Sequence, residues 1–384
     1  MPTLDQWIGN ADVFPILERA DYFNHSGVSP WPIDTVRAVE AFASGFGQGV
    51  YLGKNWFEAI DKSRAALARL INADVCEISL QKNTGDAISF VAGGLDWKAG
   101  DRIVSANVEY PSNIFPWKNV AEKFGAHVEL VKERLDPDGA VRVHEDDLIN
   151  ACDSRTRVLA ISHVEWGSGQ RMNLEKLGSF CRERGILFCV DVIQSIGVVP
   201  IDVKKIPVDC LCTGGHKWLM SPPGSGMLYV RKEWIEKLRP VMVGWASVEN
   251  PMTWSTNFVL SKTAERFETG VMSVASFVGL ESSVNALHEI GIEKIHARVR
   301  SLCDRFAELM RRSDLKVRTP LESAAGAISF EVPGDPEALV KKLASDFNTH
   351  MAARHERARF SPHFYNTETQ VDRVAETVLQ ALRA

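Results

Sequence analysis

Between about residues 57 and 240 the chain alternates stretches with apolar residues at helical spacing and short, continuous apolar runs. The runs fall at 102–106, 128–131, 157–162, 186–190, 209–212 and 227–230, each rich in Val, Ile, Leu or Cys. Runs this short and uniformly apolar predict strands buried on both faces. Their alternation with helices predicts a mostly parallel sheet covered on each side. Amphipathic helices are expected over 57–71 and 174–184, and Gly185 follows the second, where a helix end favours a left-handed residue.

After Gly244 the pattern changes. Trp245, Pro251, Trp254 and Asn257 mark irregular chain, followed by helical patterns at 273–288 and 292–312. The latter carries Ile292, Ile295, Val299, Leu302, Phe306 and Leu309 on one stripe. Strand-like runs at 315–318 and 327–332, a helix at 336–347, the segment 357–365 and a terminal helix predict a smaller α+β unit. The expected organisation is therefore α/β: a large domain over residues 1–255 with its N-terminal segment, and a small C-terminal domain over 256–384, without internal repeats.

A length of 384 residues suits two domains and a cleft between them, and 45% hydrophobic with 24% charged residues is ordinary for a globular chain. The net charge of −5, with basic residues scattered, argues against nucleic acid as a partner and for a small molecule. Residues 1–21 lack the basic start and apolar run of a signal peptide, and no stretch is long and apolar enough for a membrane span. Seven cysteines, an odd number with several inside apolar runs, are expected as buried free thiols in a reducing compartment, so a cytoplasmic location is expected. Cys210 and Cys212 have no second Cys or His pair at zinc-site spacing, and no metal is expected.

Ligands of open parallel sheets bind beyond the carboxyl ends of the strands, so polar residues directly after an apolar run are the candidates for chemistry. Asp191 leaves the sheet after five apolar residues, 186–190, and a charge there needs a partner. The run 209–212 leads through Gly214 and Gly215 to His216 and Lys217. Desolvation there favours the neutral amine of Lys217, the form that attacks an aldehyde. Residues 77–81 precede Asn83, Thr84 and Gly85, where free N–H groups at a helix start would receive a phosphate. Each feature alone has a blander reading: a surface lysine, a capped helix, an ordinary helix start. Together they supply what pyridoxal 5'-phosphate (PLP) requires of a protein.

Seven stretches occur in the order found in one family: Tyr22-Phe-Asn-His-Ser-Gly27, Asn83-Thr84-Gly85, Glu109-Tyr-Pro-Ser-Asn113, Asp191-Val-Ile-Gln194, Gly215-His-Lys217, Phe267-Glu-Thr-Gly270 and Arg359-Phe-Ser-Pro-His-Phe-Tyr-Asn-Thr367. From about Tyr22 to its end the chain resembles the class V aminotransferases of PLP fold type I, relatives of cysteine desulfurases, kynureninases and isopenicillin-N-epimerase-like enzymes. The resemblance implies a Schiff base on Lys217, which then moves protons as a general base, and Asp191 paired with the pyridine nitrogen. It further implies Gln194 on the phenolic oxygen, and Asn83, Thr84 and His216 on the phosphate. Tyr110 would stack on the cofactor face and Arg359 would take the substrate carboxylate. A core tyrosine and a surface ion pair are the plainer alternatives for those two. His25 and Ser26 are expected at the substrate pocket, with backbone bonding as the competing role, and His363 is expected to be structural.

The chain departs from the family in places. Cysteine desulfurases carry a reactive cysteine on a mobile loop shortly before the carboxylate arginine, and here no cysteine follows Cys303. Trp166 stands where those enzymes have an asparagine beside the phenolic oxygen. Gly214 replaces a serine, leaving Thr213 as a substitute hydroxyl for the phosphate, and Val271 or Ser273 falls where relatives receive a phosphate contact from a second subunit. A homodimer is expected because fold type I sites are completed across a twofold interface. The expected activity is chemistry at the α carbon of an amino acid, with transamination as the default and lyase or epimerase activity as alternatives. A catalytically silent PLP-fold protein is a further alternative. A Rossmann enzyme is disfavoured by the missing Gly-x-Gly-x-x-Gly turn.

Overall fold

The computed structural model describes residues 3–52 and 57–383. Its centre is a seven-stranded sheet formed by β1 (Ile78–Gln81), β2 (Arg102–Ala106), β3 (His127–Val131), β4 (Thr156–Ser162), β5 (Leu187–Asp191), β6 (Cys210–Gly214) and β7 (Gly226–Val230). The spatial order is β1-β7-β6-β5-β4-β2-β3. β7 runs antiparallel to both β1 and β6, and the remaining pairings are parallel.

The continuous apolar runs are explained by burial on both faces. Val104, Leu159, Ile161, Phe188, Val190 and Leu211 enter one core, beneath helices Leu174–Arg184 and Val274–Ile290. Ile103, Val158, Ala160, Leu187, Cys189 and Cys210 enter the other, beneath helices Thr84–Gly94 and Phe115–Phe124. The period of two along each strand distributes its residues between the two cores. Cys189, Cys210 and Cys212 are core packing, with the Cys189 and Cys212 sulfurs 3.9 Å apart and all seven cysteines free. The helix expected at 174–184 has those bounds; Asn173 caps it by accepting from the Lys176 N–H, and Gly185 closes it at φ 65°.

The C-terminal part holds an antiparallel sheet of β8 (Ile328–Phe330), β9 (Ala352–Arg354) and β10 (Arg357–Phe360), in the order β8-β10-β9. The strand expected at 315–318 is not in it. Val317 makes only an isolated bridge to Phe330, because Arg318 turns aside to the Gly139 carbonyl and Glu331, and Pro320 cannot extend a ladder.

A cut at residue 255 is also crossed by the packing. Asp21–Tyr22 pair in parallel with Thr349–His350, and the Phe23 N–H donates to the His350 carbonyl, so the N-terminal segment is fastened to the small unit. Helix Val274–Ile290, placed by sequence in the small unit, packs on Ile33–Gly47 and Glu58–Leu70. No helix among the described residues is long and apolar enough to cross a membrane.

Candidate active site

The carboxyl ends of β1, β2, β4, β5 and β6 face one cavity of about 320 Å³. Lining it are Asn83 and Thr84 after β1, Tyr110 after β2, Trp166 after β4, Asp191 at the end of β5, and His216 with Lys217 after β6. β5 and β6 are paired neighbours, Asp191 opposite Cys212, which brings the carboxylate and the lysine to the same edge. A wider cavity of about 460 Å³ around His163 and Arg171 contains no lysine among its lining residues.

Lys217 reaches this position because the chain after β6 passes very close to other elements. A Cβ on Gly215 would come within 2.2 Å of the Ser221 hydroxyl and 2.8 Å of Leu280, so only glycine fits. Burial pushes the Lys217 amine below the ordinary lysine range; Asp191 opposes that shift, while Arg359 and Arg354 reinforce it. Burial likewise pushes Asp191 above the ordinary carboxylate range, opposed by the Ile193 N–H and by Lys217. Burial, and next to it Lys217, lowers His216, which leaves its ring neutral. The Lys217 Nζ sits 5.6 Å from the Tyr110 ring centroid, and Tyr110 meets Trp166 edge to face at 5.2 Å.

At the end of β1 the Asn83 side chain caps helix Thr84–Gly94 by accepting from the Asp86 N–H. The Thr84 hydroxyl is buried and has no partner. A hydroxyl and free backbone N–H groups at a helix start, turned to a cavity, form an anion site in need of an anion.

Arg359 comes from β10 and is 1% exposed. It donates to the Trp166 carbonyl and, at 3.4 Å, to Asn24, while its Nε has no partner. The alternative of a surface ion pair for Arg359 is excluded by this burial, and a core position for Tyr110 by its 44% exposure. Arg354 on β9 also lines the cavity, and sequence reasoning missed it because nothing local distinguishes it from a surface arginine.

Several expectations are corrected. His25 is fully buried behind the cavity, one ring nitrogen bonded to the Ser361 carbonyl at 2.8 Å and the other to the Tyr365 hydroxyl at 2.7 Å, so it faces no substrate; Ser26 does line the cavity. Gln194 is held from both ends, donating to the Ser26 carbonyl and accepting from the Trp218 indole, with only its second amide proton left to offer. The Thr213 hydroxyl donates to the Gly214 carbonyl and is not at the cavity. The Trp166 indole N–H donates to the Val108 carbonyl at 2.8 Å, so Trp166 contributes a ring face and no proton. Val271, expected to act across a subunit interface, is 60% exposed and does not line this cavity of its own chain, but a separate one with Trp245 and Met252.

A lysine and an aspartate converging at the carboxyl edge of this sheet, beside an anion site, define a PLP-dependent enzyme of fold type I. The chain belongs to the class V aminotransferase family, whose model (Aminotransferase class-V) matches residues 22–374. It is 31% identical to a probable cysteine desulfurase of Pyrococcus abyssi, over 83% of this chain and 80% of that one. It is 28% identical to the isopenicillin N epimerase of Streptomyces clavuligerus, over 83% of each. Among solved structures, the apo cysteine desulfurase of Thermococcus onnurineus superposes with a TM-score of 0.88 at 26% identity, covering 100% of this chain and 99% of that one.

The residues present fit the cofactor. The unpartnered Thr84 hydroxyl and the helix start suit the phosphate, Asp191 suits a protonated ring nitrogen, and the desolvated Lys217 amine suits the aldehyde.

Proposed function

We propose that this enzyme removes the α proton of an amino acid, with Lys217 as the covalent anchor of the cofactor and afterwards as the base. The observation that carries this reading is the convergence of Lys217 and Asp191 in one cavity with the orphaned Thr84 hydroxyl. When bound, PLP supplies an electron sink for the charge left on the α carbon. Asp191 keeps the ring nitrogen protonated, and Asn83, Thr84 and His216 hold the phosphate. Tyr110 presses on the ring face. Arg359 orients the substrate carboxylate with its planar fork. Lys217, partly neutral through burial, is suited to receive and return a proton.

Loss of a β substituent fits the relatives better than the default of transamination, because most of those compared are named for sulfur removal, against one named for epimerisation and one named as an uncharacterized aminotransferase. Persulfide formation on a loop cysteine is disfavoured. The chain preceding Arg359 is a two-residue turn, His355–Glu356, and no cysteine lines the cavity. Transamination and epimerisation are the alternative outcomes. A cytoplasmic homodimer is part of the same reading; exposed apolar side chains, among them Val241, Trp254, Phe258, Val259 and Val271, support the dimer.

The test is the absorption spectrum of the purified protein, borohydride reduction and mapping of the labelled peptide, followed by an amino-acid panel read for 2-oxo acid with ammonia, for amino transfer and for inverted α carbon. A chromophore reduced onto Lys217, and its loss in Lys217→Ala, is the expected result. A protein that ignores added PLP, or a Lys217→Ala variant that keeps both linkage and turnover, would overturn the proposal.

A further inference from the structure

The cavity holds more positive charge than the proposed reaction uses. Lys217, Arg354 and Arg359 line it against the single carboxylate of Asp191. The register of β9 and β10 pairs Arg354 with Arg357 and Ala352 with Arg359, which places Arg354, Arg357 and Arg359 on one face of the hairpin. Arg357 is compensated by Glu133 at 3.3 Å. Neither Arg354 nor Arg359 forms an ion pair among the described residues. Arg354 donates to the Ala353 carbonyl and lies over the Trp166 ring at 5.9 Å. The hairpin holds this spacing rigidly, because its turn is only His355–Glu356, with φ of 48° and 59°. A guanidinium fixed at a cavity wall and partly removed from water favours an anion in front of it.

On the proposed function, the phosphate goes to Asn83, Thr84 and His216, the ring nitrogen to Asp191 and the substrate's α-carboxylate to Arg359. Arg354 is left without a counterpart. We infer that Arg354 recognises a second acidic group on the substrate side chain, so that the enzyme's substrates are amino acids carrying a carboxylate or another oxyanion beyond the α-carboxylate. Arg354 acts as a specificity residue and takes no part in proton transfer. It also accounts for the repulsion felt by both Arg359 and Lys217, whose proton affinities it lowers and which a substrate anion would relieve.

This inference rests on the proposed function for the assignment of the other groups, but its test does not. Succinate and its monoamide succinamate have the same shape, differ by one charge and lack the amine that the cofactor would capture. Calorimetry of the protein as purified, with its full complement of bound cofactor, is expected to show succinate binding about 10-fold or more tighter than succinamate, a fully formed charge-assisted contact being worth about 1.5–3 kcal/mol. Arg354→Gln is expected to remove most of that ratio. Aspartate against asparagine, or glutamate against glutamine, should show the same ratio in kcat/KM and the same collapse. Equal binding of succinate and succinamate overturns the inference, since the second carboxylate would then go unrecognised, and so does a ratio that survives Arg354→Gln, since another group would then recognise it. Loss of the chromophore on Lys217 instead sinks the functional reading, and the calorimetric ratio still decides the role of Arg354.

Discussion

Glu109 accepts two hydrogen bonds from Ser162, from its N–H at 2.6 Å and from its hydroxyl at 2.5 Å, and a third from Asn113 at 2.9 Å. This buried carboxylate ties the chain carrying Tyr110 to the end of β4, next to Asp191 in the sheet. Burial pushes Glu109 up to about 7, against the pull of its hydrogen bonds. Folding therefore takes up a proton at pH values between the ordinary carboxylate range and about 7. The stability that accompanies this uptake is complete at the acidic end and is lost as pH rises through 7. Burial lowers the proton affinities of His25, His163 and His363, which act in the opposite sense, so the Glu109 contribution is read as the difference in thermal midpoint between the protein and Glu109→Gln. That difference is expected to fall between pH 5 and 7.5, and a difference that stays constant over this range would refute the assignment.

Asp191→Asn removes the charge that opposes the burial of Lys217. The Lys217 amine should then titrate at still lower pH, measured as the pH at which the cofactor-free protein reacts with a small aldehyde followed by borohydride. Turnover should drop on the order of 100-fold, as when a preorganised electrostatic contact is removed. A midpoint that moves upward contradicts the geometry.

Thr84→Val keeps the shape of a side chain whose hydroxyl has no partner in the cofactor-free chain. Stability without cofactor should be unchanged or higher by up to about 1 kcal/mol, because a buried unsatisfied hydroxyl is lost. Affinity for PLP should fall by about 10-fold or more, since hydrogen bonds to a charged group contribute about 1.5–3 kcal/mol. Equal affinity in the variant would remove Thr84 from the phosphate site.

Glu356 is an exposed, non-glycine residue at φ 59° in the turn between the two arginine-bearing strands. Left-handed backbone costs such a residue about 1–2 kcal/mol, and glycine loses about 0.5–1 kcal/mol in entropy on ordering. Glu356→Gly should therefore stabilise the protein by on the order of 0.5 kcal/mol or more in denaturant unfolding. Destabilisation would mean that the carboxylate has a role in the fold that the turn geometry does not require.

The central sheet and the positions of Asp191, Lys217, Asn83 and Thr84 were legible in the sequence for one physical reason. Strands buried on both faces are continuous apolar runs, and whatever polar residue follows such a run is delivered to the sheet's edge. Local pattern carries both facts. It could not place Arg354, whose function depends on a hairpin register and on the acid that Arg357 takes and Arg354 does not. Nor could it tell that His25 and Gln194 are held by Ser361, Tyr365, Ser26 and Trp218.

Those partners lie up to 340 residues apart in the chain. The N-terminal segment reaches Ser361 and Tyr365 by pairing with the small unit at Thr349–His350. The amino-acid sequence by itself determined which groups stand at the carboxyl edge, because that depends on neighbours in the chain. Only the tertiary structure decided which of them remain free for a ligand, because hydrogen-bond partners and countercharges are supplied by segments that meet only on folding.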